Sequence, residues 1–146
     1  EFMIFARTES LIAGKSPEYA MERAKRYVQV GSDGIVIHSA KSDGENIFEF
    51  ATLFKKEFPD IPLVFIPTAY NHFTDLELNQ KGADIIIYAN HLMRSAYKAM
   101  CSTAESILTH GNSKYADENY CEPVRNILNL IDGDVLWLIL TIFIIA

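Results

Sequence analysis

Four short apolar runs recur along this chain, and each hands over to polar residues and then to a segment with helical spacing. In FMIFARTES, Phe2–Ala6 leads to Arg7 and Glu9. In GIVIHS, Ile35–Ile37 leads to His38 and Ser39. In PLVFIPTAY, Leu63–Ile66 leads to Thr68 and Tyr70, and in DIIIYANH, Ile85–Tyr88 leads to Asn90 and His91. Continuous Ile/Val/Phe runs of this length predict strands covered on both faces, the pattern of parallel sheets.

Helix signals fill the gaps. Ser16-Pro17-Glu18 reads as an N-cap with proline at the first helical position, and Tyr19, Ala20, Arg23, Ala24 and Tyr27 follow at helical spacing up to Gly31. Ser42-Asp43-Gly44-Glu45 opens a second helix with Ile47, Phe48, Phe50, Ala51 and Phe54, ending near Phe58-Pro59. Phe73 to Lys81 predicts a short helix closed by Gly82, and His91 to Leu108 a long one stopped near Gly111. Strand then helix, four times, means βαβ units with parallel strands and right-handed crossovers. The expected fold is α/β, of the (β/α)8 TIM-barrel type, with residues 1–111 forming half of the barrel. Residues 112–134 are expected to be a polar loop, Asn112 to Asn119, then an amphipathic C-terminal helix, Glu122 to Ile131. Residues 135–146 form an atypical apolar tail, VLWLILTIFIIA.

Composition narrows the function classes. The chain has 146 residues, 49% hydrophobic and 22% charged, with a net charge of −6. Nucleic acid is not an expected partner, because phosphate backbones call for clustered Lys and Arg. A local cluster can still bind a small anion. A membrane span needs about 20 apolar residues, more than the tail offers, so the tail is expected to serve packing or an interface, or to come from a truncated or shifted reading frame. No secretory signal is visible at the N-terminus. Cys101 and Cys121 lack a metal-binding spacing and are expected to be reduced thiols of a cytoplasmic enzyme, with Cys101 a small packing residue.

In barrels the residues just past the strands carry the chemistry. Arg7 closes the first strand, and its guanidinium can hold a carboxylate or phosphate through two parallel hydrogen bonds; a plain ion pair with Glu9 is the alternative. His38 is either an anion contact or proton carrier, or a core histidine tied to a carbonyl. Ser39, Thr68 and Asn90 can position substrate oxygens, although Asn90 can equally cap the helix that follows. Lys41 reads as a solvated loop residue. Asp33, Asp43, Asp60 and Asp84 fall at turns, so no metal site is expected from this chain. No nucleophile elbow, P-loop, dinucleotide-binding glycine motif or zinc spacing occurs.

FARTESLIAG, IVIHSAKSD, IPTAY and IYANHLMRS together resemble the C-terminal half of phosphoenolpyruvate mutase, of the isocitrate lyase/phosphoenolpyruvate mutase superfamily of (β/α)8 barrels. The resemblance runs from Phe2 to about Leu130. It implies the last four βα units and an isomerase interconverting phosphoenolpyruvate and phosphonopyruvate, forming the C–P bond of phosphonate biosynthesis. It implies Arg7 and His38 on the transferring phosphoryl group and Mg2+ on the pyruvyl oxygens. The family's metal-binding acids lie in a DxDTGYGN-like segment absent from this chain, so the Mg2+ ligands are expected elsewhere and the chain is expected to be a fragment inactive alone. The loop that separates mutase from hydrolase is also absent. Three alternatives therefore stay open: phosphonopyruvate hydrolase, or a carbon–carbon lyase of the same superfamily, or a non-catalytic truncated remnant. The implied partners are a small anionic substrate and either further copies, joined by exchange of the helix in 112–134, or the rest of the barrel.

Overall fold

The structure, a computed structural model, describes residues 2–130; Ile131 and the 135–146 tail lie outside the described residues. The chain divides into two compact units, one ending at Ala89 and one starting at Asn90. That division falls before the long helix, ahead of the 111–112 boundary expected from the sequence.

The first unit alternates strand and helix: β1 Phe5–Thr8, α1 Pro17–Gln29, β2 Gly34–Ile37, α2 Glu45–Glu57, β3 Leu63–Phe65, α3 Asp75–Gln80 and β4 Ile85–Ile86. The strands are all parallel and lie in chain order. β1 is displaced from the expected Phe2–Ala6. Its ladder is set by its neighbour, Phe5 to Thr8 pairing with Gly34 to Ile37, so Phe2, Met3 and Ile4 fall outside and are exposed. β4 is shorter than expected for the same reason, since only Ile85 and Ile86 pair with β3.

Side chains alternate across a strand, and the register sorts them. Arg7, Val36, Val64 and Ile85 are cross-strand partners on one face. Ile35, Ile37, Leu63 and Phe65 point to the other face and are fully buried against Ala20 and Ala24 of α1, Ile47, Phe50 and Phe54 of α2, and Leu78 of α3. Each such Ile, Leu or Phe contributes about 1.5–3 kcal/mol through burial. This one-sided core holds the sheet to its helices.

Local signals set the helix starts. Ser16 Oγ accepts from the Tyr19 amide, with Pro17 at the first helical position. Thr74 and Glu77 form a reciprocal capping box at α3, which satisfies two otherwise orphaned amides. α2 starts at Gly44, whose φ of +71° is left-handed, a conformation glycine adopts without strain.

The N-terminal ends of the strands are tied by side chains. Asp33 Oδ2 accepts from the Ile4 amide at 2.6 Å. Ser32 Oγ accepts from the Ala6 amide and donates to the Gly34 carbonyl. Asp84 Oδ2 accepts from the Leu63 amide at 2.7 Å and pairs with Lys55 Nζ, which also donates to the Ile61 carbonyl.

The second unit is helical: α4 His91–His110, α5 Lys114–Asn119 and α6 Val124–Leu130. Gly111 ends α4 in the left-handed conformation, as the sequence predicts. The 112–119 stretch is not all loop: Asn112 Oδ1 accepts from the Lys114 amide, and α5 follows with Ala116 buried. Cys101 is exposed on α4 rather than packed, and Cys121 is exposed too. Leu92, Met93, Tyr97, Met100 and Leu108 of α4 are also exposed. No helix among the described residues is long and apolar enough to cross a membrane.

Candidate active site

Arg7 sits within β1, one residue short of its end, and not beyond it as expected. Its partner across the ladder is Val36, and alternation brings His38, the residue after β2, to the same face. The two side chains meet: Arg7 Nη2 lies 3.3 Å from His38 Nδ1. Glu9 joins them. Arg7 Nε donates to Glu9 Oε1 in an ion pair, and Glu9 Oε2 is 3.6 Å from His38 Nδ1. Of the two readings of Arg7, the ion pair with Glu9 is present in the structure. Arg7 and Glu9 are about half exposed, at 49% and 47%, so their pairing adds little stability; its effect is to fix where the guanidinium points.

The backbone holds Glu9 in place. The Thr8 and Ser10 hydroxyls are buried and hydrogen-bonded at 2.8 Å. The Glu9 and Ser10 carbonyls accept from the Ala13 and Lys15 amides, closing the turn that leads to α1.

Ser39 is not brought to this cluster as a free hydroxyl. It is fully buried, donates to Asn46 Oδ1 of α2 at 2.7 Å and accepts from the Lys41 amide at 3.1 Å. Its role in the structure is to pin the β2–α2 loop. Asn46 lies inside a helical run and gave no signal in the sequence. Lys41 is exposed, as expected of a loop residue.

Thr68 follows β3 and is half-buried, its amide donating to the Ile66 carbonyl at 2.8 Å. Tyr70 is fully buried, edge-on to the rings of Phe48 and Phe65. Tyr70 Oη makes no hydrogen bond of ordinary geometry among the described residues, and burial pushes its ionisation well above the ordinary phenol range. In the second unit, Asn90 occupies the position before α4 but makes no side-chain capping bond, and His91 is the first residue of that helix.

The strand ends make a hydrogen-bonding patch whose guanidinium and imidazole can donate to an oxyanion, with the Glu9 carboxylate balancing the guanidinium charge. They do not fit Mg2+. The ion takes about six oxygen ligands, whereas no cluster of three or more His, Cys, Asp or Glu exists among the described residues and Glu9 is engaged by Arg7.

Comparison with known proteins agrees with this architecture. A family model described as phosphoenolpyruvate phosphomutase matches residues 1–108. The phosphonopyruvate hydrolase of Variovorax sp. (strain Pal2) is 34% identical over 119 residues, 80% of this chain and 40% of the relative. The phosphoenolpyruvate phosphomutase of Streptomyces hygroscopicus is 32% identical over 132 residues, 90% of this chain and 41% of the relative. The chain thus spans about two fifths of the length of these curated relatives. The crystal structure of phosphoenolpyruvate phosphomutase from Streptomyces platensis subsp. rosaceus matches with a TM-score of 0.83 at 30% identity, over 98% of this chain and 48% of that one. A phosphonopyruvate hydrolase crystal structure with oxalate and Mg2+ matches with a TM-score of 0.80 at 31% identity, over 94% of this chain and 48% of that one. With its parallel βα units of the (β/α)8 type and a family match across residues 1–108, this chain belongs to the phosphoenolpyruvate phosphomutase family.

Proposed function

We propose that this chain supplies the phosphoryl-binding strand ends of an enzyme that interconverts phosphoenolpyruvate and phosphonopyruvate. The observation that carries the reading is the 3.3 Å approach of Arg7 to His38 at neighbouring strand ends, in a chain of this family. In the isomerisation the P–O bond of phosphoenolpyruvate breaks, a P–C bond forms at the methylene carbon, and the enol oxygen becomes the ketone oxygen, with no other reactant. The migrating group is metaphosphate-like, with charge spread over its equatorial oxygens. Arg7 offers fixed positive charge to those oxygens, and His38 offers a second contact. Thr68, after β3, is the proposed hydroxyl contact.

Mg2+ accompanies oxalate in a phosphonopyruvate hydrolase structure. The residues described here do not fit the ion, so its ligands are assigned to the part of the barrel that this chain does not supply, and no step is derived through it. The proposed partners are the small anionic substrate and the complementary half of the barrel, in a cytoplasmic enzyme.

A second reading is supported by the 34% identity to a phosphonopyruvate hydrolase: the same patch would hold the phosphonate while water cleaves the C–P bond to give pyruvate and phosphate. Phosphorus NMR separates the readings. Phosphonopyruvate with Mg2+ is incubated with the chain, alone and together with the N-terminal half-barrel of a mutase relative. A phosphoenolpyruvate signal supports the mutase reading, and inorganic phosphate the hydrolase reading. No binding and no turnover in either mixture removes both.

A further inference from the structure

His38 Nδ1 has two rival neighbours. The Arg7 guanidinium is at 3.3 Å and the Glu9 carboxylate at 3.6 Å. A guanidinium nitrogen can only donate. At hydrogen-bond distance from it, Nδ1 must therefore accept, and the hydrogen of the neutral ring must sit on Nε2. Alone, the Glu9 carboxylate would favour the reverse, because an acceptor beside Nδ1 calls for a hydrogen there. The order of approach decides the outcome. Arg7 is nearer, and Glu9 spends its other oxygen on Arg7 Nε. Among the described residues, Arg7 and Glu9 are the charged side chains in hydrogen-bond or ion-pair contact with His38.

We propose that Glu9 is a positioning residue: it holds the Arg7 guanidinium against His38 Nδ1, and this fixes the neutral His38 ring as its Nε2–H tautomer. The device has a direct use. A neutral imidazole with a fixed Nε2–H donates to an anionic oxygen without first taking up a proton, and Arg7 keeps its Nη1 edge for the same anion. The identity of the bound group, a phosphonate or phosphoryl oxygen, rests on the function proposed above. The tautomer itself does not. The other charged residues of the loop, Lys41 and Asp43, are exposed.

The test reads the ring directly. Long-range proton–nitrogen correlation spectra of the nitrogen-15-labelled 146-residue chain at mildly alkaline pH report which imidazole nitrogen bears hydrogen, and the His38 signals are assigned by their loss in His38→Gln. The expected result is an Nε2–H ring with an unprotonated, hydrogen-bonded Nδ1. In Arg7→Gln the ring is expected to turn over to Nδ1–H, facing Glu9. In Glu9→Gln it is expected to relax to the mixed population of a solvent-exposed histidine. A purely structural role for Glu9 would leave the tautomer unmoved. An Nδ1–H ring in the unaltered chain overturns the proposal, and so does an unchanged tautomer in either folded variant. The first outcome does not depend on how an Arg7 or Glu9 variant folds. Phosphonopyruvate added to the unaltered chain separates this proposal from the functional one: an Nε2–H ring whose signals ignore the ligand supports the tautomer and counts against the phosphonate site.

Discussion

Tyr70 is the most exacting place to test the packing described above. It is fully buried, yet its Oη makes no hydrogen bond of ordinary geometry among the described residues, the Ile66 backbone offering only a weak one. Enclosing an unsatisfied hydroxyl costs about 1–3 kcal/mol. Tyr70→Phe removes that group and keeps the edge-on contacts with Phe48 and Phe65, whose centroids lie 6.2 and 6.4 Å away. The vacated space, of order 10 Å3 at about 24 cal/mol per Å3, gives back only ~0.2 kcal/mol. The expected net effect is a gain of about 1 kcal/mol, which for a unit of this size raises the melting midpoint by roughly 4–8 °C. Tyr70→Ala should do the opposite and lose about 3–5 kcal/mol, because the ring contacts go too. Alkaline pH supplies an independent check of sign. Burial raises the folded-state ionisation of Tyr70 above its unfolded value, so its contribution is fully present below about pH 10. It is lost as the pH climbs through the raised folded value, because the unfolded chain then binds fewer protons. Tyr70→Phe should lack that part of the alkaline slope. Thermal melts of the three chains by circular dichroism, at neutral and alkaline pH, are sufficient. A loss of 1 kcal/mol or more in Tyr70→Phe would refute the reasoning, since it would mean that Oη makes a bond the enclosed geometry denies.

Arg7→Lys is expected to weaken phosphonopyruvate binding by roughly ten- to a hundredfold, the loss of one charge-assisted hydrogen bond; phosphorus NMR titration measures it, and unchanged affinity would remove Arg7 from the site. Gly44→Ala should cost about 1–3 kcal/mol, because φ is +71° and the new Cβ would lie 2.6 Å from the Phe48 ring; an unchanged urea midpoint would contradict this. Ser39→Ala should cost about 1–2 kcal/mol of stability through the lost Asn46 bond while leaving ligand affinity unaltered, and titration beside a melt distinguishes that from a substrate contact.

The repeating strand-and-helix plan was legible because two different hydrophobic periods alternate along the chain. Caps at Ser16 and Gly111 were legible because their side-chain and backbone chemistry is local. Strand limits were less so. Phe2 to Ile4 are apolar, but what decides a strand is the partner that its backbone meets, and β2 begins opposite Phe5. The 112–119 stretch reads as polar loop because only Ala116 of α5 is buried. In the site, Arg7 and His38 stood out as polar residues at the ends of apolar runs. Glu9 was visible as an ion-pair partner of Arg7, but nothing in the sequence indicated that it also approaches His38, across two strands. Ser39 looked the same as His38 by position; alternation turns it to the opposite side of the loop, toward Asn46.

The two ends of these strands carry different kinds of residue. At the N-terminal ends, Asp33, Ser32, Asp84 and Lys55 bond main-chain groups of the sheet and of the turns that enter it. At the C-terminal ends, Arg7, Glu9 and His38 bond one another, with Arg7 and Glu9 half exposed and His38 partly buried. A substitution in the second set alters what the surface can hold without unfastening the first. Such an arrangement lets lineages alter what these strand ends hold in small steps, each intermediate remaining folded.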